Sequence, residues 1–132
     1  MSIYYRLDEQ TDNMHPEQNR KRGLYPRIIR KKTVTLRELS QTAAEGTSFH
    51  AIEVESVGRL LIEGIVEQLR DGNNVCLDDF GTFSLSAETV RPALNVHDIR
   101  AESIRVKRIV FKTSQRLMQR LSGFRFVRKP KL

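Results

Sequence analysis

The chain has 132 residues, 39% hydrophobic and 30% charged, with six Phe, three Tyr and no Trp, which is room for one polar globular domain with decorated ends. Net charge is +7, and a single Cys with three scattered His excludes a disulfide framework, a four-cysteine zinc site and any metal-ligand spacing. No apolar run approaches the ~18–20 residues that span a bilayer, and the opening Met-Ser-Ile-Tyr-Tyr-Arg has no signal-peptide core, so the expected compartment is the cytoplasm.

Residues 3–7 are rich in strand formers, and residues 24–34 read as a second strand. The polar stretch 8–23 between them, with Pro16, Gly23 and Arg20-Lys21-Arg22, reads as a long loop closing a hairpin. Pro26 then belongs at a strand start or on an edge. Thr35-Leu36-Arg37-Glu38 is a capping box, followed by Leu36, Leu39 and Ala43 at helical spacing and by Gly46 as the C′ residue. Thr47 or Ser48 is expected to cap a longer helix ending at Gly72. Its apolar positions Phe49, Ile52, Val57, Leu60, Leu61, Ile65 and Leu69 share one broad face, opposite Glu53, Glu55, Glu63 and Glu67.

Val75-Cys76-Leu77 starts a strand, Asp78-Asp79-Phe80-Gly81 holds a tight place, and alternation resumes through Leu85. Residues 86–98 read as a polar loop, and 99–111 as one strand or two with a bend. Thr113 or Ser114 caps a short helix with Leu117, Met118 and Leu121 inward, Ser122-Gly123 stops it, and Phe124-Arg125-Phe126-Val127-Arg128 alternates like a last strand. The chain therefore divides into a strand extension with loop (1–33), a central α+β domain (34–121) and a C-terminal strand with a basic tail (122–132).

Charge is segregated. Residues 1–33 carry +4, residues 34–72 carry −4 and residues 73–132 carry +7, so a polyanion would meet the flanks. Arg105, Lys107 and Arg108 lie in a strand-like run where period two puts Arg105 and Lys107 on one face, and with Lys112 and Arg116 they make a basic stripe. The stripe suits phosphate neutralisation, and it equally suits an ordinary solvated sheet face. Gly81 either allows a close approach to the backbone or merely turns the strand, with Phe80 and Phe83 in the core. Arg20-Lys21-Arg22 and the tail Arg125, Arg128, Lys129 and Lys131 either trail along a polyanion or are solvated charge. Asp78-Asp79 would repel a phosphate backbone unless they point away or pair with Arg. Cys76 reads as a packed apolar residue. No nucleophile motif and no glycine-rich phosphate loop is present, so neither an enzyme nor a cofactor is expected.

Three stretches carry a family resemblance: the helix end Glu67-Gln68-Leu69-Arg70-Asp71-Gly72, then Val75-Cys76-Leu77-Asp78-Asp79-Phe80-Gly81-Thr82-Phe83, and then Val110-Phe111-Lys112-Thr113-Ser114-Gln115-Arg116-Leu117. From Thr33 to about Leu121 the chain resembles the bacterial histone-like HU and integration-host-factor family. Its flanking strands look like those of the longer Bacteroidetes-type HU-related proteins. The resemblance implies an HU-like fold: an N-terminal helical hairpin, a β-saddle, a short C-terminal helix and an intertwined homodimer. It implies duplex DNA as the partner, held with little base specificity and bent, without cofactor, membrane or small-molecule substrate, in the nucleoid. It marks Gly81, Thr82, Arg91, Arg105, Lys107, Arg108, Lys112 and Arg116 as the DNA-contacting set. One departure matters. In the arm segment Asn95 falls near the tip, and Val96 follows it where kinking relatives have proline, so any bend is expected to be mild and Pro92 does not inherit an intercalating role. The rival readings are an HU-fold interaction module that has lost DNA binding and, last, an RNA binder.

Overall fold

The computed structural model describes residues 2–11, 22–92 and 94–129. In chain order the elements are β1 (Ser2–Thr11), β2 (Arg22–Ile28), α1 (Leu36–Ala44), α2 (Ala51–Arg70), β3 (Val75–Leu77), β4 (Gly81–Thr89), β5 (Ile104–Thr113), α3 (Gln115–Arg120) and β6 (Arg125–Arg128). Single 3₁₀ turns at Val96–Asp98 and Ala101–Ser103 lie between β4 and β5. The α+β chain falls into two compact units. Residues 35–121 form a body, and the two chain ends, 1–34 and 122–132, form the other.

In the body, α1 packs on α2. Thr35 starts α1, its hydroxyl accepting from the Glu38 N–H at 3.3 Å. Gly46, at φ +75°, follows the Glu45 C-cap in a left-handed conformation that glycine adopts without steric cost. Ser40 is buried in the helix pair and its hydroxyl donates to the Leu36 carbonyl at 2.7 Å, which satisfies it. Glu55 ties the helices on their rim, accepting from Arg59 at 2.9 Å and lying 3.7 Å from Arg37.

The start of α2 differs from expectation. His50 is its N-cap and makes no side-chain capping bond. The Thr47 hydroxyl is committed to the preceding turn, donating to the Ala44 carbonyl at 2.7 Å and accepting from the Phe49 N–H at 3.2 Å, so the helix begins later. The apolar face of α2 is also divided. Ala51, Val54, Gly58, Ile65 and Leu69 are at least half-buried, and Leu69 is 4% exposed. Ile52, Leu60 and Leu61 are 73%, 71% and 65% exposed, with Val57, and Phe49 just before the helix, open as well. A helix apolar on more than one side is built to be covered from more than one side.

The body's sheet has the order β3-β4-β5, antiparallel throughout. A tight turn joins β3 to β4, with the Phe80 N–H donating to the Leu77 carbonyl at 3.0 Å and Asp79 at φ +60°. Gly81 then enters the central strand opposite Leu77 and Thr113. A Cβ there would stand 2.5 Å from the Phe111 ring and 2.6 Å from the Lys112 carbonyl oxygen. Phe111 in turn meets Phe83 and Phe80 at ring-centroid distances of 4.8 and 5.3 Å. The strand predicted to begin at Val75 is thus two strands, and β4 runs four residues beyond Leu85 into what read as loop. Ser114 caps α3 through the Leu117 N–H at 3.1 Å.

The second unit joins the two ends of the chain. Its sheet has the order β2-β1-β6, with β1 antiparallel to β2 and parallel to β6. Pro26 sits on the edge strand opposite Leu7, where its missing N–H disturbs no interior ladder. The second strand ends at Ile28, before the predicted limit at 34. The predicted loop segment Arg20-Lys21 lies outside the described residues, as does Lys131 of the tail.

Candidate nucleic-acid interface

The two faces of the body's sheet follow from its register. Phe83 pairs with Phe111 and Leu85 with Ile109, so these side chains share one face. Thr82 pairs with Lys112, Ser84 with Val110 and Ser86 with Arg108, so these share the other. Between Ser86 and Ala87 the register shifts: Ser86 lies opposite Arg108 and Ala87 opposite Val106, so Lys107 is the extra residue of a β-bulge.

The bulge corrects the sequence-based assignment of faces. Strict period two would put Arg105 with Lys107 and turn Val106 and Ile104 away from Ile109. With Lys107 extruded, Val106 and Ile104 rejoin the face of Phe83, Leu85, Ile109 and Phe111, opposite Ala87 and Thr89. Arg105 then falls in with Arg108 and Lys112. The physical reason is the continuity of the apolar face, which a one-residue slip would break.

The result is a polar face with two parallel rows. Thr82, Ser84 and Ser86 on β4 carry hydroxyls at every second position, and that of Ser86 donates to the Arg108 carbonyl at 3.4 Å. Lys112 and Arg108 on β5 stand directly opposite Thr82 and Ser86, about 13 Å apart along the strand. Glu88 lies opposite Arg105 at the far end, and their side chains form an ion pair at 2.8 Å. The serines were overlooked in the sequence, although Thr82-Phe83-Ser84-Leu85-Ser86 carries the signal in its alternation.

The remaining predicted site residues separate from this pair of rows. Arg116, on α3, lies 3.5 Å from Asp79 of the β3–β4 turn, so one of the two adjacent acids meets an arginine. Arg91 is exposed just beyond β4, in a shallow depression shared with Asp98 and Glu102. Gly81 and Thr82 lie in the central strand, whose N–H groups are directed into the ladders on its two sides, and the need for glycine at 81 is met by the Phe111 ring and the Lys112 carbonyl. Lys107, Arg108 and Lys112 have no ion-pair partner among the described residues. Cys76, expected to be packed, is exposed opposite Thr82, because β3 is the edge strand. Beyond the strands, Leu94 and Val96 flank Asn95 at 96% and 84% exposure.

Among the described residues no cluster of His, Cys, Asp and Glu is arranged to hold a metal ion, and no helix is long and apolar enough to cross a membrane. The arrangement therefore offers hydroxyl donors and fixed positive charge to an extended anion.

A family described as an HU domain fused to wHTH, Ig or glycine-rich motif matches residues 1–128. A solved structure from Bacteroides vulgatus, described as a "Putative bacterial DNA binding protein", superposes with a TM-score of 0.67 at 9% identity, covering 99% of this chain and 50% of that one. The chain thus spans about half the length of that structure. An Anabaena HU–DNA cocrystal structure superposes with a TM-score of 0.50 at 20% identity, covering 67% of this chain and 97% of that one. At such identities the likeness is one of fold. No curated protein matches the sequence.

Proposed function

Because the chain belongs to the family of HU domains fused to wHTH, Ig or glycine-rich motifs, we propose that it is a homodimeric, nucleoid-associated binder of double-stranded DNA with little sequence preference. The carrying observation is the polar face of the β3-β4-β5 sheet, where the Thr82 and Ser84 hydroxyls lie beside Arg108 and Lys112. Hydroxyls donate to phosphate oxygens, and cations displace condensed counterions. Contacts of this kind fix the position of a duplex without reading its bases. Arg108 and Lys112 are the principal contacts and Lys107 an accessory one. Arg105 and Arg116 join when DNA phosphates compete with Glu88 and Asp79. Gly81 is a positioning residue that lets Phe111 close over β4, and Thr82 contributes its hydroxyl. Arg91 is an outlying contact on the arm.

The dimer rests on α2. Exposed Leu60, Leu61 and Ile52 make an apolar surface that a single chain leaves in water, and a second copy covering it supplies the missing core. The bend imposed on DNA is mild, because Val96 follows Asn95 and the arm is poor in cations.

The test is binding to a random duplex of about 30 base pairs across a salt series, where each neutralised phosphate contributes about −0.9 to the log–log slope. Arg108→Ala/Lys112→Ala is expected to weaken binding to every sequence alike and to flatten the slope by about 1.8. Absence of wild-type binding even at low salt would defeat this reading. It would leave the rival, an interaction module that kept only the fold, which the ion pairs at Arg105 and Arg116 favour.

A further inference from the structure

Counted by structural unit, the charge is sharply uneven. The body, residues 35–121, carries eleven Lys and Arg against twelve Asp and Glu, a net −1. The two chain ends carry twelve against four, a net +8. All of the protein's positive excess therefore belongs to the unit built on the β2-β1-β6 sheet, and the long-range attraction of a polyanion follows that excess.

The register of this sheet sorts its side chains as cleanly as that of the body. On one face Ile3, Tyr5 and Leu7 of β1 lie beside Ile28 and Pro26 of β2 and Phe126 of β6, and the rings of Tyr5 and Phe126 meet edge to face at 6.5 Å. The other face is cationic. Arg6 and Arg27 are direct neighbours across β1 and β2, and both reach Asp8, at 3.2 and 3.1 Å. One carboxylate thus serves two guanidiniums, and one positive charge is left over. Further along, the Tyr4 ring collects an ammonium group from each flanking segment: Lys129 at 4.8 Å and Lys31 at 5.8 Å from its centroid. Arg125 lies on this face opposite Ser2.

We propose that this cationic face, centred on Tyr4 with Lys31 and Lys129, is a second surface for the phosphate backbone of duplex DNA, separate from the polar face of the body. The inference rests on the DNA-binding reading above and extends it. Base stacking on single strands is the less apt use, because the Tyr4 ring is already covered by two ammonium groups, whereas stacking platforms keep their rings open. Exposed cation–π contacts are weak, so the ring holds both lysines at one spot on the surface and still yields them to a phosphate.

The test uses the full chain and needs no variant at first. Lysines are acetylated in the wild-type protein with and without a random duplex and read by mass spectrometry. Protection of Lys31 and Lys129 together with Lys112 supports the proposal. Protection of Lys112 alone overturns it and leaves the body's site standing. Failure of the duplex to bind at all defeats the parent reading instead. A salt series then compares Lys31→Gln/Lys129→Gln with Lys31→Arg/Lys129→Arg. The Gln pair is expected to flatten the slope by about 1.8, at about 0.9 per lost phosphate contact, while the Arg pair keeps the wild-type slope. An unchanged slope in a Gln pair whose circular dichroism matches wild type, or an effect seen only with single-stranded DNA, overturns the assignment of duplex phosphate.

Discussion

The body and the terminal sheet solve opposite problems. The body has apolar surface in excess and no spare charge: Leu69 is its one buried large apolar side chain among the described residues, and its net charge is −1. The terminal unit is small, closes its sheet with strands from both chain ends, and holds the whole positive excess. The contrast teaches that an overall charge of +7 does not locate a binding site. In the body the proposed site depends on where a few cations point, and in the terminal unit the proposed surface depends on how many there are.

That contrast is most exposed to a blow at α2. Leu60→Asp/Leu61→Asp puts charge where a partner chain is expected to bury two leucines, each worth about 1.5–3 kcal/mol on burial. Loss of the dimer by sedimentation or light scattering, with loss of helical signal, is the expected outcome, whereas raising salt to high levels should release DNA and leave the dimer intact. A monomeric wild type would remove the body's side of the comparison.

Next in size is Gly81→Ala. The added methyl meets the Phe111 ring and the Lys112 carbonyl, and overpacking of this kind costs about 1–3 kcal/mol. Denaturant unfolding should show that loss, and duplex affinity should fall with it because Lys112 is displaced. Thr35→Ala removes the cap of α1 and is expected to cost about 1 kcal/mol in the same assay, without changing the salt slope.

The smallest stability effect is expected for Glu88→Gln. Its pair with Arg105 joins an exposed guanidinium to a half-buried carboxylate at the sheet surface, so unfolding should shift by about 1 kcal/mol at most. Freed from its carboxylate, Arg105 should steepen the salt slope by up to about 0.9 if the polar face contacts DNA. No change would mean that Arg105 points at nothing anionic. Last comes the bend: end-labelled duplex in a resonance-energy-transfer assay should show a modest angle, and a sharp kink would give the exposed Leu94 or Val96 the wedge role that proline has elsewhere.

Much of this was legible locally. Thr35 with Glu38, Gly46 and Gly72 mark helix boundaries because capping geometry is decided within a few residues. Phe80-Gly81-Thr82-Phe83 and Val110-Phe111-Lys112 identify the sheet of the body for the same reason: a glycine under an aromatic ring and alternating side chains are short-range patterns. Capping failed at Thr47, where a hydroxyl with two local uses took the other one. Cys76 failed because burial depends on which strand is the edge, and three residues of Val-Cys-Leu do not say.

The sequence by itself determined the order of the elements though not all their limits, the segregation of charge and the family. Each of these depends on neighbours along the chain or on sums over it. The tertiary structure decided the rest. The bulge at Lys107, which moves Arg105 to the side of Arg108 and Lys112, exists only relative to the register of β4. The cationic face around Tyr4 exists only because Val127 pairs in parallel with it, bringing together residues from opposite ends of the chain. Strand pairing is a contact between segments, and no single segment carries its partner's register. That is why the basic stripe of β5 could be named from the sequence, while the faces of the two sheets and the meeting of Tyr4 with Lys31 and Lys129 could not.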